Sequence, residues 1–479
     1  MTHRALAGIL AFVLVSAPIR ADEALSKQQA QAALRKAVAF FRQDVSGHGG
    51  YVWRYSADLA RREGEGKATP AMAWVQPPGT PTVGSAYLAA YELTGDDFYL
   101  DAARETAHAL VKGQLQSGGW DYRIYFDPES RRDCAYRVEP HADGSGRNMS
   151  TLDDDNTQSA LRFLMRADQA LGFKDEAVHE AALYGLNSLL NAQYPNGAWP
   201  QRYTKPPDPA RFPVKKASYP DTWSRKYEGK LYTGYYTFND NTILDAIRTL
   251  SDAAAIYGEA RFSAAAEKAG DFILLAQMPD PQPAWAQQYD PDMHPAWARK
   301  FEPPSITGGE SQGVLRTLIY LYGKTGEEKY LEPIPRAVAY FRSSLLPDGQ
   351  LARFYELETN TPLYFTKDYK LSYSDDDMPT HYGFKSGSQL DAIEAAYQRA
   401  KATPIEKPGD AEKAQAPRMT PTLAKQAGAA AHALDERGAW VQQDRLRYHG
   451  ADDPATHIID TSTFVKNVRV LSEFIAAGE

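Results

Sequence analysis

The run Ala182-Leu183-Tyr184-Gly185-Leu186-Asn187-Ser188-Leu189-Leu190-Asn191-Ala192-Gln193-Tyr194-Pro195-Asn196-Gly197-Ala198-Trp199 decides the fold. Leu186, Leu189 and Leu190 recur at i, i+3 and i+4, the spacing of one helix face. The pattern then stops on a Pro-Asn-Gly turn sealed by a tryptophan. The same helix-then-turn recurs as Gly49-Gly50-Tyr51-Val52-Trp53, Gly118-Gly119-Trp120 and Gly438-Ala439-Trp440, with weaker copies at Pro283-Ala284-Trp285 and Asp348-Gly349-Gln350-Leu351. Helical spacing precedes the turns, as over 107–115, 182–192, 265–276 and 334–346. Upstream mates are expected over 83–93, 157–171, 241–257, 311–322 and 388–400, and the helix before the last turn over 422–434.

These pair into five helical hairpins. A first helix over 27–43 and a last over 464–474 lack sequential mates, and if they pair, six hairpins close a ring. Repeated helical pairs indicate an all-α fold, an (α/α) barrel or toroid of helical hairpins, with long loops forming a cleft at one rim. Three loops are long, over 121–150, 203–238 and 363–384; loops of that length are usually functional.

Residues 1–21 read as a signal peptide, with Arg4, an apolar run from Ala5 to Val15 and small residues near Ala17 and Ala21. A secreted or periplasmic protein is expected, with no membrane association once that segment is removed. The toroid is expected over 22–401, a Pro/Lys/Glu/Ala-rich linker over 402–421, and a C-terminal helical segment completing the toroid over 422–479. The net charge of -8 argues against nucleic-acid binding. With 29 Tyr and 8 Trp, stacking on sugar rings and core packing are both served. Cys134 stands alone and the 10 His form no zinc pattern. A monomer is expected.

Two acidic motifs open helices: Ser150-Thr151-Leu152-Asp153-Asp154-Asp155-Asn156-Thr157 and Thr237-Phe238-Asn239-Asp240-Asn241-Thr242. Asp and Asn here suit helix N-caps, and the clustered carboxylates equally suit calcium. Two further stretches are Trp297-Ala298-Arg299-Lys300-Phe301-Glu302-Pro303-Pro304-Ser305-Ile306-Thr307-Gly308-Gly309-Glu310-Ser311 and Arg353-Phe354-Tyr355-Glu356-Leu357-Glu358-Thr359-Asn360. Together with Gln193-Tyr194-Pro195-Asn196-Gly197-Ala198-Trp199-Pro200-Gln201, the ordered set resembles the pectate lyases of polysaccharide lyase family 10 over roughly 107–368.

The resemblance implies calcium-assisted β-elimination of α-1,4-polygalacturonate, an anionic polysaccharide, to unsaturated oligogalacturonides. It implies that Asp153, Asp154 and Asp240 hold Ca2+, with Asp153 also catalytic. Arg299 matches the proposed base at C5, and Arg353 matches a substrate-binding arginine. Lys367 stands where the family has a later arginine, keeping the charge without the bidentate fork; Ala198 and Thr307 depart from a glycine and a serine. Arg202, Trp199 and Lys300 are further substrate-binding candidates, and Tyr203, Trp285 and Trp297 also suit a sugar groove. A guanidinium is a poor base unless burial and neighbouring cations such as Lys300 depress its pKa, so an alkaline optimum is expected. Asp375-Asp376-Asp377 reads as a solvated loop, with a second cation as the alternative.

Three other readings remain open at this level. Asp240 with Glu310 suits the acid and base of a toroidal glycoside hydrolase. Gln114…Gly118-Gly119-Trp120 and Gln193…Gly197-Ala198-Trp199 look like the Q-W repeats of triterpene cyclases. A glycan binder without catalysis would keep the same scaffold.

Overall fold

The computed structural model describes residues 25–140, 145–229, 231–403 and 417–478. The segment read as a signal peptide and most of the linker lie outside the described residues. Thirteen α-helices follow in order: α1 (Lys27–Phe40), α2 (Thr80–Thr94), α3 (Asp97–Gly113), the single turn α4 (Pro128–Arg131), α5 (Asn156–Ala170), α6 (Glu176–Asn191), α7 (Thr242–Tyr257), α8 (Ala260–Ala276), α9 (Glu310–Thr325), α10 (Ile334–Ser343), α11 (Leu390–Ala402), α12 (Pro421–His432) and α13 (Thr461–Ala476). Each helix expected from spacing is present. The hairpins α2/α3, α5/α6 and α7/α8 pack as antiparallel pairs, and α1 does pack on α13. The Phe41 and Phe464 rings stack at that junction with centroids 3.6 Å apart.

The inner helices follow one another as α13, α2, α5, α7, α9 and α11, each packed on the next. The sequence pairs α11 with α12, and here the structure differs. α11 packs on α9 and α10, whereas α12 packs on α13 and α1. Among the described residues the toroid is therefore an open arc of helices. No helix among them is long and apolar enough to cross a membrane.

The turns explain the repeat. Each tryptophan is buried and its indole N–H donates to a carbonyl of the helix just ended: Trp120 to Leu110 O at 2.9 Å, Trp199 to Leu189 O at 2.8 Å, Trp285 to Ile273 O at 2.8 Å and Trp440 to Ala430 O at 2.8 Å. Just upstream, a glutamine amide staples the turn to the next hairpin. Gln114 Nε2 donates to Gly118 O and to Ala181 O of α6, both at 2.9 Å. Gln193 Nε2 donates to Gly197 O at 3.0 Å and Ala265 O of α8 at 2.9 Å. Gln277 repeats the pattern with Pro283 O at 2.9 Å and Pro333 O at 3.3 Å. These pairings give the Q-x-x-x-G spacing a structural meaning that requires no cyclase.

After each turn the chain forms a short antiparallel ladder with the strand leading into an inner helix. Ser150–Thr151 pairs with Arg202–Tyr203, Tyr236–Thr237 with Gln288–Tyr289, and Ile306–Thr307 with Phe354–Tyr355. The ladders bring the N-terminal ends of α5, α7 and α9 to one rim, alongside the residues that follow the turns.

Gly197 has φ +97°, and a Cβ there would meet Lys268 O at 2.1 Å. Gly197→Ala is expected to cost about 2–4 kcal/mol, combining left-handed strain and overlap with backbone. Trp199→Phe, losing one buried hydrogen bond, should cost about 1–2 kcal/mol. Thermal denaturation followed by circular dichroism checks both; a Gly197→Ala melting temperature equal to the parent's would refute the staple.

Candidate functional site

The outer helices α3 and α6 start with aspartates that cap them, Asp96 accepting from Phe98 N and Asp175 from Val178 N. The inner helices behave differently. Asp154 and Asp155 take φ of +50° and +59°, and Asp240 and Asn241 take +46° and +59°. At both places two successive left-handed residues kink the chain before the helix, and the N-cap residue makes no side-chain cap hydrogen bond. The capping reading of these two motifs is thus corrected: the backbone turn directs the carboxylates away from the helix end. Asp155 goes instead to Arg162, with Nη2 2.5 Å from its Oδ2.

The two motifs superpose in pattern. Thr151 Oγ1 accepts from Asp153 N at 3.2 Å, and Thr237 Oγ1 accepts from Asn239 N at 3.0 Å. Asp154 and Asp240 therefore hold equivalent places three residues after a threonine, and Glu310 stands three residues after Thr307 in the next repeat. Acidic side chains at helix N-termini also gain from the helix dipole.

Asp153, Asp154 and Asp240 each offer a carboxylate oxygen, and the three atoms lie within 4.8 Å of one another. Tyr122 donates to Asp153 Oδ2 at 2.8 Å and to Asp154 Oδ2 at 3.4 Å, while the buried Asp153 Oδ1 has no hydrogen-bond partner. Burial, then the charges of Asp153 and Glu65, pushes Asp154 up to about 6. Burial, then Asp153 and Asp154, pushes Asp240 up to about 7 against the opposing pull of Arg299. Crowded carboxylates with raised pKa values and an orphaned oxygen fit a hard divalent cation; the all-oxygen donor set favours calcium over zinc.

Two arginines face this cluster. Arg299 forks onto Glu302, with Nε 2.8 Å from Oε2 and Nη2 2.6 Å from Oε1. Tyr382 donates to the same Glu302 Oε1 at 2.8 Å. Arg353 Nη2 donates to Glu310 Oε1 at 2.6 Å, and the Thr307 hydroxyl donates to the other Glu310 oxygen. Arg353 lies 4.5 Å from the Tyr382 ring centroid. Both guanidiniums act electrostatically on Asp240. Carboxylates and cations are thus interleaved across the starts of three consecutive inner helices.

A protein-family model described as pectic acid lyase matches residues 129–352. Over these residues the chain belongs to the pectic acid lyase family. It is a polysaccharide lyase. No curated protein sequence matches the chain significantly. Among solved structures, the family 10 polysaccharide lyase from Cellvibrio cellulosa is 23% identical over 67% of this chain and 98% of that one, with a TM-score of 0.46. A mutant of that enzyme in complex with trigalacturonic acid gives 23% identity, 66% and 98% coverage, and the same TM-score of 0.46. A GH76 α-mannanase from Bacteroides thetaiotaomicron is 10% identical over 93% of this chain and 95% of that one, with a TM-score of 0.42.

The lyase keeps Asp153, Asp154, Asp240, Arg299 and Arg353 in one neighbourhood. Arg202, opposite Thr151 in its ladder, lies 5.9 Å from the Tyr122 ring centroid and joins them from the α6 side. Other expectations need correction. Trp199 is 0% exposed and spends its N–H on Leu189, so its ring offers no face to a sugar; Trp285 is equally buried. Lys300 sits on the Tyr369 ring at 3.4 Å. Lys367 pairs with Asp377 at 3.2 Å on an exposed turn, making its contact there and not with the acidic cluster. Asp375 pairs with Lys385 at 2.5 Å, which leaves the acidic loop solvated and locally neutralised.

Arg299 departs most from expectation. Burial pulls its pKa down, but the hydrogen bonds and charge of Glu302 outweigh that and hold it above the ordinary arginine value. Lys300, turned onto Tyr369, does not offset them. Glu310, the partner of Asp240 in the hydrolase reading, is bridged by Arg353 and Thr307 and is not placed as a free acid. Sequence reasoning gave no role to Glu302, Tyr122 or Tyr382. Glu302 sits at i+3 from Arg299 inside a quoted motif, a usable sign, whereas nothing around Tyr382 marked it.

The raised values of Asp154 and Asp240 lie above those of carboxylates in an unfolded chain, about 4. The metal-free folded state therefore binds more protons, and it loses stability as pH rises from about 4 to about 7. Protons and cation compete for the same oxygens. Calcium should thus raise the melting temperature more at pH 8 than at pH 5.5, and Asp240→Asn should raise the metal-free melting temperature at pH 8 while removing most of the calcium response. Differential scanning fluorimetry with and without chelator checks this; an equal calcium response at both pH values would refute it.

Proposed function

We propose that this polysaccharide lyase acts on α-1,4-linked polygalacturonate, outside the cytoplasm, by calcium-assisted β-elimination. The observation that carries the reading is the meeting of Asp153, Asp154 and Asp240 with Arg299 and Arg353 at the starts of α5, α7 and α9. A uronate carries a carboxylate beside its C5–H bond, so a site for it needs positive charge at the carboxylate and a path for the proton. Held by the three aspartates, calcium would supply positive charge beside the uronate carboxylate and acidify C5–H.

The chain's own residues do the rest. Arg353 receives a uronate carboxylate while Glu310 keeps the guanidinium oriented. Arg299, kept charged by Glu302, neutralises the carbanion that develops when the C5 proton leaves to hydroxide. Electrons from the C5–H bond form the C4=C5 double bond, the C4–O4 bond breaks, and the departing oxygen takes a proton from water. Tyr122 fixes Asp153 and Asp154. A cavity of about 480 Å³ lined by Arg202, Lys205 and Arg211 lies after α6 and suits the carboxylates of a polyanion.

Absorbance at the unsaturated-uronate band, with polygalacturonate and with or without chelator, tests the reading. Calcium-dependent absorbance is expected, with Asp153→Asn and Asp240→Asn each lowering kcat at least about 100-fold. Reducing ends released without that absorbance would assign hydrolysis and overturn the proposal. Activity should rise through alkaline pH. Arg299→Lys separates the two roles open to this side chain. A charge-neutralising Arg299 predicts a loss of about 100-fold with an unmoved optimum, because the fork onto Glu302 is lost. An optimum drawn toward the lysine range would instead make the side chain the base.

A further inference from the structure

A second cavity, of about 550 Å³, lies between the 220–235 loop and the segment 290–304 that follows α8. It adjoins the candidate site through the chain itself: Trp297 lines it and Arg299 is two residues on. Its chemistry is the reverse of that of the basic cavity after α6. Among the described residues lining it there is no Lys or Arg; its carboxylates are Glu228 and Asp290, and the remainder includes Trp223, Trp297 and prolines.

The two indoles are firmly held. Trp297 Nε1 donates to Ser224 O at 2.9 Å, which ties the loop to the segment. The Trp297 ring meets Phe365 edge-on with centroids 6.1 Å apart, and both tryptophans back onto the aromatic cluster of Phe301, Phe354, Phe365 and Phe384. Arg225, stacked 3.8 Å from the Trp223 ring, is committed to Glu356 at 2.8 Å.

Resting on the polygalacturonate reading, we infer that this cavity is a subsite for an uncharged sugar unit, a methyl-esterified galacturonate or a neutral pyranose, adjacent to the unit that is cleaved. A free uronate entering it would leave a carboxylate beside Asp290 with no cation to meet it, at a cost in desolvation and repulsion. An ester or a neutral ring carries no such charge and gains the apolar faces of the indoles. The volume falls in the range that accommodates small ligands.

The test uses Asp153→Asn as a non-turnover background and isothermal titration with three probes: trigalacturonate, its fully methyl-esterified form, and a trisaccharide of neutral sugars. Trp223→Ala should weaken the esterified probe about fivefold or more and leave trigalacturonate within about twofold. Thr222→Lys, placing a cation at the exposed lip, should tighten trigalacturonate. Loss of neutral-trisaccharide binding alone would identify the occupant as a neutral sugar; loss of the esterified probe would identify the ester. Equal weakening of all probes, or none, overturns the inference. On the active parent, Trp223→Ala should lower kcat/KM on partly esterified polygalacturonate relative to the fully de-esterified polymer by a similar factor. A parent that forms no unsaturated product from either polymer sinks the lyase chemistry, and the titration still decides the cavity separately.

Discussion

The glutamine amide that bridges each turn to the next hairpin is the constraint on which the molecule depends. A single Nε2 group satisfies a carbonyl of its own turn and one of the following outer helix, so the rotation between successive hairpins is set by two hydrogen bonds in place of loose helix packing. Buried carbonyls left without a donor are costly, and the adjacent tryptophan seals the same point by binding the end of the preceding helix. With the outer helices indexed in this way, the short ladders that follow the turns fall into register. The starts of α5, α7 and α9 then reach the rim at matching heights, and the functional residues inherit their positions from this stitching.

At that rim the chain gives up an ordinary stabilising device. α3 and α6 use aspartates to satisfy their free N–H groups, whereas α5 and α7 enter through paired left-handed residues and leave their acids uncapped. Strained backbone of this kind persists where the surroundings over-determine it, and the ladders with their Thr151 and Thr237 hydrogen bonds do so. Asp154 and Asp240 are consequently held near Asp153, with their charges unrelieved by the helix ends. The opposing arginines are in turn restrained by Glu302 and Glu310, which keep two guanidiniums from collapsing onto the acidic cluster.

Much of this was legible before the structure. The helices were readable because leucine and alanine spacing reports the buried face directly, and the six turns because tryptophan and glycine mark them. The acidic and basic motifs were readable because they sit in short contiguous strings. What was not legible depended on partners distant in sequence. Capping and left-handed entry share the same Asp/Asn vocabulary, so the two motifs looked like caps. Trp199 resembles a stacking residue in sequence yet is consumed by Leu189. The state of Arg299 depends on how it meets Glu302 and on Tyr382, eighty residues further along, and Lys367 follows a turn whose direction no local pattern discloses. The pairing of α11 with α12 failed for the same reason, since order along the chain does not determine adjacency across a linker.

Because the arc of helices does not close, it has two ends, as a strip has and a hoop does not. In such a strip each hairpin is supported chiefly by its neighbours, and cooperativity decays toward the margins. The margins are unequal. One is built from α13, α1 and α12 around a shared aromatic junction. The other is α11, which buries only Leu390 and Ile393. Opening fluctuations will therefore begin at α11 and reach α9 next, so the Glu310–Arg353 side of the cleft is mechanically softer than the aspartate side, and amide protons should exchange along that gradient.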